Sequence, residues 1–132
     1  GSLGKKFFTA KDLMVYKKDI PSLSENTKIY DAIYPISSGG LGLTMINKKN
    51  KIIGIFTDGD LRRCLEKKID INKTALSKVM TVDFKFINEN ELISNAINQM
   101  EKYKVFSLLV KNKGGQITGL LRMHDLLEAK IV

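Results

Sequence analysis

Two short stretches of this 132-residue sequence concentrate groups able to hold a small anion: Thr57, Asp58, Gly59, Asp60 and, later, Arg122, Met123, His124, Asp125. A carboxylate such as Asp60 can accept two hydrogen bonds from adjacent hydroxyls, as the acidic residue of dinucleotide sites does with a ribose. Arg122 can fork onto a phosphate or carboxylate, and His124 can donate a hydrogen bond or titrate near neutral pH. Each also has a plainer role. Thr57 or Asp58 can cap the helix that runs on towards Lys67, Arg122 can pair with a surface acid, and His124 can be an exposed helix residue. Capping leaves a second carboxylate, Asp60, without an evident purpose so close to Asp58, and Asp125 repeats it.

The elements that would position these groups form an internal repeat with a period of about 65 residues. Lys11 Asp12 Leu13 Met14 returns as Ser77 Lys78 Val79 Met80, and Ile29 Tyr30 Asp31 Ala32 Ile33 returns as Ile93 Ser94 Asn95 Ala96 Ile97. An apolar strand and a polar turn follow in both halves: Leu41 to Ile46 before Asn47–Lys51, and Val105 to Val110 before Lys111–Gln116. The spacing predicts a short amphipathic helix and then a hairpin in each half. Gly54 and Gly119 each precede an aspartate by six residues, which gives Asp60 and Asp125 equivalent places. Each half therefore reads helix, strand, helix, strand, strand, helix, with too few strands to bury both faces alone. The expected fold is α/β of the α+β kind: two pseudo-symmetric repeats, each a small three-stranded sheet with two helices, packed sheet to sheet. Asp60 and Asp125 are expected in the first turn of a helix directly after a buried strand, where free N–H groups and the helix dipole would face a cleft suited to a phosphorylated ligand.

Composition narrows the partners. With 43% hydrophobic and 27% charged residues the chain can bury a real core. Its apolar runs are far shorter than the roughly 20 residues of a membrane helix. One cysteine, Cys64, forms no internal disulfide, and with a single histidine it cannot supply a Cys/His zinc site; a reducing, cytoplasmic compartment is expected. The net charge of +8 invites nucleic acid. The lysines nevertheless lie in scattered pairs, and no basic strand carries interleaved aromatic residues, so nucleic acid is not the expected partner. A catalytic Cys64/His124 pair is not expected, because Cys64 lies on a predicted apolar helix face and no nucleophile stands beside His124 in the sequence. Asp58 and Asp60 could bind Mg²⁺ together with a nucleotide phosphate but are too few ligands for a dedicated metal site. No catalytic residue and no metal are assigned. The opening Gly1 Ser2, native or a tag remnant, and the missing initial methionine suggest a fragment or processed product.

The opening Asp12 Leu13 Met14 and Lys78 Val79 Met80 Thr81 segments and the Gly54 x x Thr57 x x Asp60 signature closely resemble a tandem cystathionine β-synthase (CBS) domain pair, or Bateman module, from Thr9 to Val132. The resemblance implies CBS repeats over 9–70 and 71–132, a threonine at 57 contacting phosphate and an aspartate at 60 holding ribose hydroxyls. Arg122 departs from the threonine of the pattern and argues against a second adenine-nucleotide site. Leu3 Gly4 Lys5 Lys6, Phe56 to Arg63 and Met123 to Leu127 also resemble the carboxyl-terminal half of arabinose 5-phosphate isomerases. That likeness implies that residues 1–8 are a linker from a missing sugar-isomerase domain and that the pair dimerises and serves regulation in the supply of the lipopolysaccharide sugar Kdo. No cofactor is required on this reading. The implied effector is CMP-Kdo, whose phosphate and carboxylate would suit Arg122 and His124, or an adenine nucleotide; a purely structural dimerisation module is the alternative.

Overall fold

The computed structural model describes residues 7–131. Gly1 Ser2, the Leu3 to Lys6 part of the expected linker, and Val132 lie outside the described residues. The chain forms α1 (Ala10–Leu13), β1 (Val15–Tyr16), β2 (Ser22–Ser24), α2 (Ile29–Gly39), β3 (Leu43–Lys48), β4 (Lys51–Thr57), α3 (Asp58–Glu66), β5 (Phe86–Asn88), α4 (Ile93–Tyr103), β6 (Ser107–Lys111), β7 (Ile117–Arg122) and α5 (Met123–Glu128). The α/β class agrees with the sequence reading, and so does the order of elements except that the helix expected to open the second half is a single 3-10 turn, Leu76–Lys78.

Two compact units result, and they do not follow the halves of the chain: one joins the described residues up to Lys17 to those from Lys85 onward, and the other is Lys18–Phe84. In Lys18–Phe84 the sheet runs β2-β3-β4, with β2 parallel and β4 antiparallel to β3. In the other unit it runs β1-β7-β6-β5, four strands where three were expected. The extra strand is the two-residue β1, whose Val15 and Tyr16 pair with Leu120 and Gly119. Its counterpart in Lys18–Phe84 is a single bridge, in which Ile55 N donates to the Thr81 carbonyl at 2.9 Å and Thr81 N to the Ile55 carbonyl at 2.8 Å.

Helical spacing explains which faces turn inward. Ile29, Ala32 and Ile36 of α2 are buried with Ile46, Phe56, Cys64 and Leu76. Ile93, Ala96 and Met100 of α4 are buried with Ala10, Ile87, Leu108, Val110, Leu121 and Leu126. Residues three and four apart share one helical face, and each fully buried Ile, Leu or Phe contributes roughly 1.5–3 kcal/mol. Pro35 sits inside α2 and removes one backbone donor there. Gly40 ends α2 at φ 70°, whereas α4 ends on Lys104 at φ 55°; glycine meets that left-handed backbone with less strain.

The repeated glycines have a steric cause. A Cβ at Gly54 would lie 2.7 Å from Met80 Sδ and 3.0 Å from the Thr81 carbonyl oxygen; at Gly119 it would lie 2.5 Å from Met14 Sδ and 2.6 Å from the Val15 carbonyl oxygen. The Asp-Leu-Met and Lys-Val-Met arms thus cross strand β7 or β4 where only glycine leaves room. Each strand brought under an arm then runs straight into a helix, α5 or α3, and so delivers the aspartate six residues later.

Candidate functional site

Strand β4 carries Thr57 in extended conformation to the start of α3, and a reciprocal capping box closes there. Asp60 N donates to Thr57 Oγ1 at 3.0 Å, and Thr57 N donates to Asp60 Oδ2 at 3.0 Å. This corrects the expectation that capping leaves Asp60 without a purpose. As the third helical residue it supplies the returning acceptor, satisfying a backbone donor that the helix cannot. Two further donors converge on it. Arg63 Nη2 meets Oδ1 at 2.6 Å, and Thr81 Oγ1 lies 3.1 Å from both carboxylate oxygens.

Asp60 is only 7% exposed, whereas its partner Arg63 is 61% exposed. The carboxylate is fixed while the guanidinium reaches solvent. Asp58 is also exposed, its N–H donating to the Gly42 carbonyl at 2.9 Å. Gly42 has φ +72°, and a Cβ there would stand 3.3 Å from Asp58 Oδ2. The start of α3 therefore offers a buried acceptor, an exposed carboxylate and an exposed cation within its first two turns.

The other unit repeats the frame with different chemistry. Met123 N donates to the Phe106 carbonyl at 2.8 Å, as Asp58 N does to Gly42, and Arg122 N donates to Asp125 Oδ2 at 2.9 Å. At the cap position Arg122 has no hydroxyl to accept a bond in return. Its guanidinium folds back instead, Nε meeting Asp125 Oδ2 at 3.2 Å and Nη2 meeting Oδ1 at 2.7 Å. Arg122 is 20% exposed and Asp125 13%. Its partner is thus an acid, but the largely buried aspartate of the helix it caps and not one at the surface. His124 is exposed, with Nε2 3.7 Å from Glu128 Oε1.

Thr57, Asp58 and Asp60 therefore meet at one helix start, and Arg122, His124 and Asp125 at another. Sequence reasoning did not single out Arg63 or the side-chain role of Thr81. Arg63 was legible, since a residue three positions after Asp60 lies on the same helical face. Thr81 was not, because only the bridge to Ile55 brings it beside a residue 21 positions earlier. Cys64, one turn beyond Asp60, is buried; burial pushes its thiol above the ordinary value, and the Asp60 charge adds to that rise. Among the described residues no cluster of three or more His, Cys, Asp or Glu could hold a metal ion, and no helix is long and apolar enough to cross a membrane.

The geometry is that of one strand-to-helix junction repeated in two small α/β units, and the comparisons agree on its class. The CBS domain family matches twice, over residues 10–67 and 76–131, and the chain belongs to that family. It is 38% identical over 132 residues to the arabinose 5-phosphate isomerase KdsD of Francisella tularensis, covering 99% of this chain and 40% of that relative. Both matched segments are CBS domains, and no catalytic isomerase domain is present in these 132 residues. An uncharacterized conserved protein from Pyrococcus horikoshii superposes with TM-score 0.85 at 21% identity, over 95% of this chain and 93% of that one. A protein named CBSX2, crystallised in complex with AMP, superposes with TM-score 0.80 at 18% identity, over 94% and 96%. These two likenesses establish the fold.

Proposed function

We propose that this chain is the ligand-sensing module of a longer arabinose 5-phosphate isomerase, and that it senses a nucleotide or nucleotide-sugar. The observation that carries the reading is the exposed Arg63 guanidinium resting on the buried Asp60 carboxylate at the start of α3. An incoming phosphate competes for Arg63 and for the helix N-terminus. Once the guanidinium turns to the phosphate, Asp60 Oδ1 keeps Thr81 Oγ1 at 3.1 Å and gains room to accept from a ribose hydroxyl, with Thr57 alongside. In the other unit, taken by itself, the phosphate and carboxylate of CMP-Kdo would suit Arg122, which an anion would draw from Asp125, and His124. CMP-Kdo is the favoured effector and adenine nucleotides the next class; the AMP complex of a protein of the same fold supports nucleotides in general.

Regulation requires that the ligand prefer one arrangement of the enzyme over another; equal affinity for both transmits nothing. The working compartment on this reading is the cytoplasm. Thermal unfolding against AMP, ATP, CMP, CMP-Kdo and sugar phosphates tests it. A true ligand at about a hundred times its dissociation constant adds about 2.7 kcal/mol. No rise in midpoint with any of them rejects the reading.

A structural role as a dimerisation module has one specific observation in its favour: Tyr30, Ile33 and Tyr34 are exposed on α2. Three large apolar side chains at helical spacing form a surface that a second copy of the chain could cover. Sedimentation of Tyr34→Lys beside the native chain decides it: a dimer that dissociates on substitution supports the role, and a native monomer rejects it.

A further inference from the structure

Away from the α3 start, the unit Lys18–Phe84 contains a cavity of about 240 Å³ lined by Ser24, Glu25, Asn26, Asn47, Lys48 and Lys49. It lies between the end of β2 and the tight turn that joins β3 to β4. The Glu25 side chain in its wall has no hydrogen-bond or ion-pair partner among the described residues, and its Oε2 is sealed from solvent. Lys48 and Lys49 form no ion pair among the described residues either. Three charged residues of both signs, none in an ion pair among the described residues, thus line one concavity, the two lysines exposed and the glutamate half-buried. A carboxylate held in a protein wall without donors is destabilising and calls for an explanation.

The twin unit shows that this is not an obligation of the fold. Glu89 occupies the equivalent position: Glu89 N donates to the Lys111 carbonyl and Lys11 N to the Glu89 carbonyl, just as Glu25 N donates to the Asn47 carbonyl and Ser77 N to the Glu25 carbonyl. Glu89, however, has a partner, with Thr118 Oγ1 donating to its Oε2 at 3.1 Å. Thr118 is the extra residue of a β-bulge, since the β6–β7 register passes from Val110↔Gly119 to Lys111↔Ile117. The β3–β4 register makes the same step, from Ile46↔Gly54 to Asn47↔Ile52, and the extra residue there is Ile53, which has no hydroxyl to give. One replacement in a bulge separates a satisfied glutamate from an unsatisfied one.

We infer that this cavity is a second ligand site, for a small anion that also carries a hydrogen-bond donor, hydroxyl or ammonium. The ammonium groups of Lys48 and Lys49 take the anionic end. Glu25 Oε1 takes the donor, and the side-chain amide of Asn26 fixes the middle. Asn47 is already oriented, its Nδ2 donating to Ser22 Oγ at 2.8 Å, which leaves its carbonyl oxygen for the ligand. The volume suits a molecule the size of an amino acid or a monosaccharide phosphate, not a nucleotide.

A heteronuclear NMR titration of the 132-residue chain with inorganic phosphate, ribose 5-phosphate, gluconate and serine tests the inference, and the three organic probes distinguish the sources of the shared chemistry. Saturable shifts of the Asn26 and Asn47 amide signals are expected with at least one hydroxylated or ammonium-bearing probe. Binding should weaken about tenfold in Glu25→Ala while inorganic phosphate is unaffected, and both should be lost in Lys48→Ala/Lys49→Ala. Asp60→Ala should leave these shifts intact, which separates this site from the α3 start. No shift of these signals with any probe, or shifts that survive both sets of substitutions, overturns the inference; equal affinity for phosphate and for the hydroxylated probes overturns the role of Glu25.

Discussion

Thr81 Oγ1 sits 3.1 Å from both carboxylate oxygens of Asp60, tying the arm that precedes β5 to the first turn of α3. With Thr57 and Arg63 it makes the carboxylate a structural node as well as a candidate ligand group. Asp60→Ala therefore removes half of a capping box and leaves a half-buried hydroxyl without its acceptor, and it should destabilise the chain by about 2–3 kcal/mol. Thr81→Val removes one donor only and should lose about 1 kcal/mol. Urea unfolding measures both; equal losses would mean that Thr81 alone makes Asp60 matter.

The glycine pair gives a steric prediction. At Gly119 an added methyl meets a backbone carbonyl oxygen at 2.6 Å, which side-chain motion cannot relieve; at Gly54 the tightest contact is the flexible Met80 thioether at 2.7 Å. Gly119→Ala should cost about 2–3 kcal/mol and Gly54→Ala about 1–2. Equal tolerance of both substitutions in thermal unfolding would contradict the crossing of β7 by Val15.

Two ion pairs three residues apart invite double-mutant cycles. Arg63 makes one contact to Asp60 from a largely solvated position, whereas the largely buried Arg122 grips Asp125 through two nitrogens. Coupling should be under about 1 kcal/mol for Arg63/Asp60 and about 1–2 kcal/mol for Arg122/Asp125, with the first falling further in high salt. The reverse order would be evidence against the bidentate geometry.

Burial, with the Asp60 charge adding to it and Lys67 and Arg63 opposing, raises the Cys64 thiol above its ordinary value. Folding then favours the protonated form. That contribution is complete below the unfolded-state value of about 8.5 and is lost as pH climbs through the higher folded value. As pH rises above the unfolded-state value, the native chain should lose stability faster than Cys64→Ala does, and the total extra loss reports the shift. Parallel slopes in denaturant titrations would show that the thiol does not titrate differently on folding.

The repeat was legible because its marks are local. Alternating and continuous apolar runs reveal β3, β4, β6 and β7, and the Gly-to-Asp spacing reveals the strand-to-helix junctions. What escaped depends on contacts between distant segments. Two residues, Val15 and Tyr16, carry no strand signal of their own and become β1 only because Gly119 admits them. Arg122 was open to several partners in the sequence, and the short helical turn to Asp125 selected one. The unsatisfied Glu25 emerges only when its unit is set beside its twin, since its environment turns on Ile53 in a bulge.

The most direct test is titration calorimetry of AMP and CMP-Kdo into the native chain, Arg63→Ala and Asp60→Ala. Arg63→Ala keeps the capping box and Thr81 tether, so its fold should survive. The account predicts saturable binding to the native chain, about tenfold weaker affinity in Arg63→Ala for loss of one charged phosphate contact, and none in Asp60→Ala samples verified as folded. Absence of binding by either ligand, or binding unchanged in both variants, would contradict it.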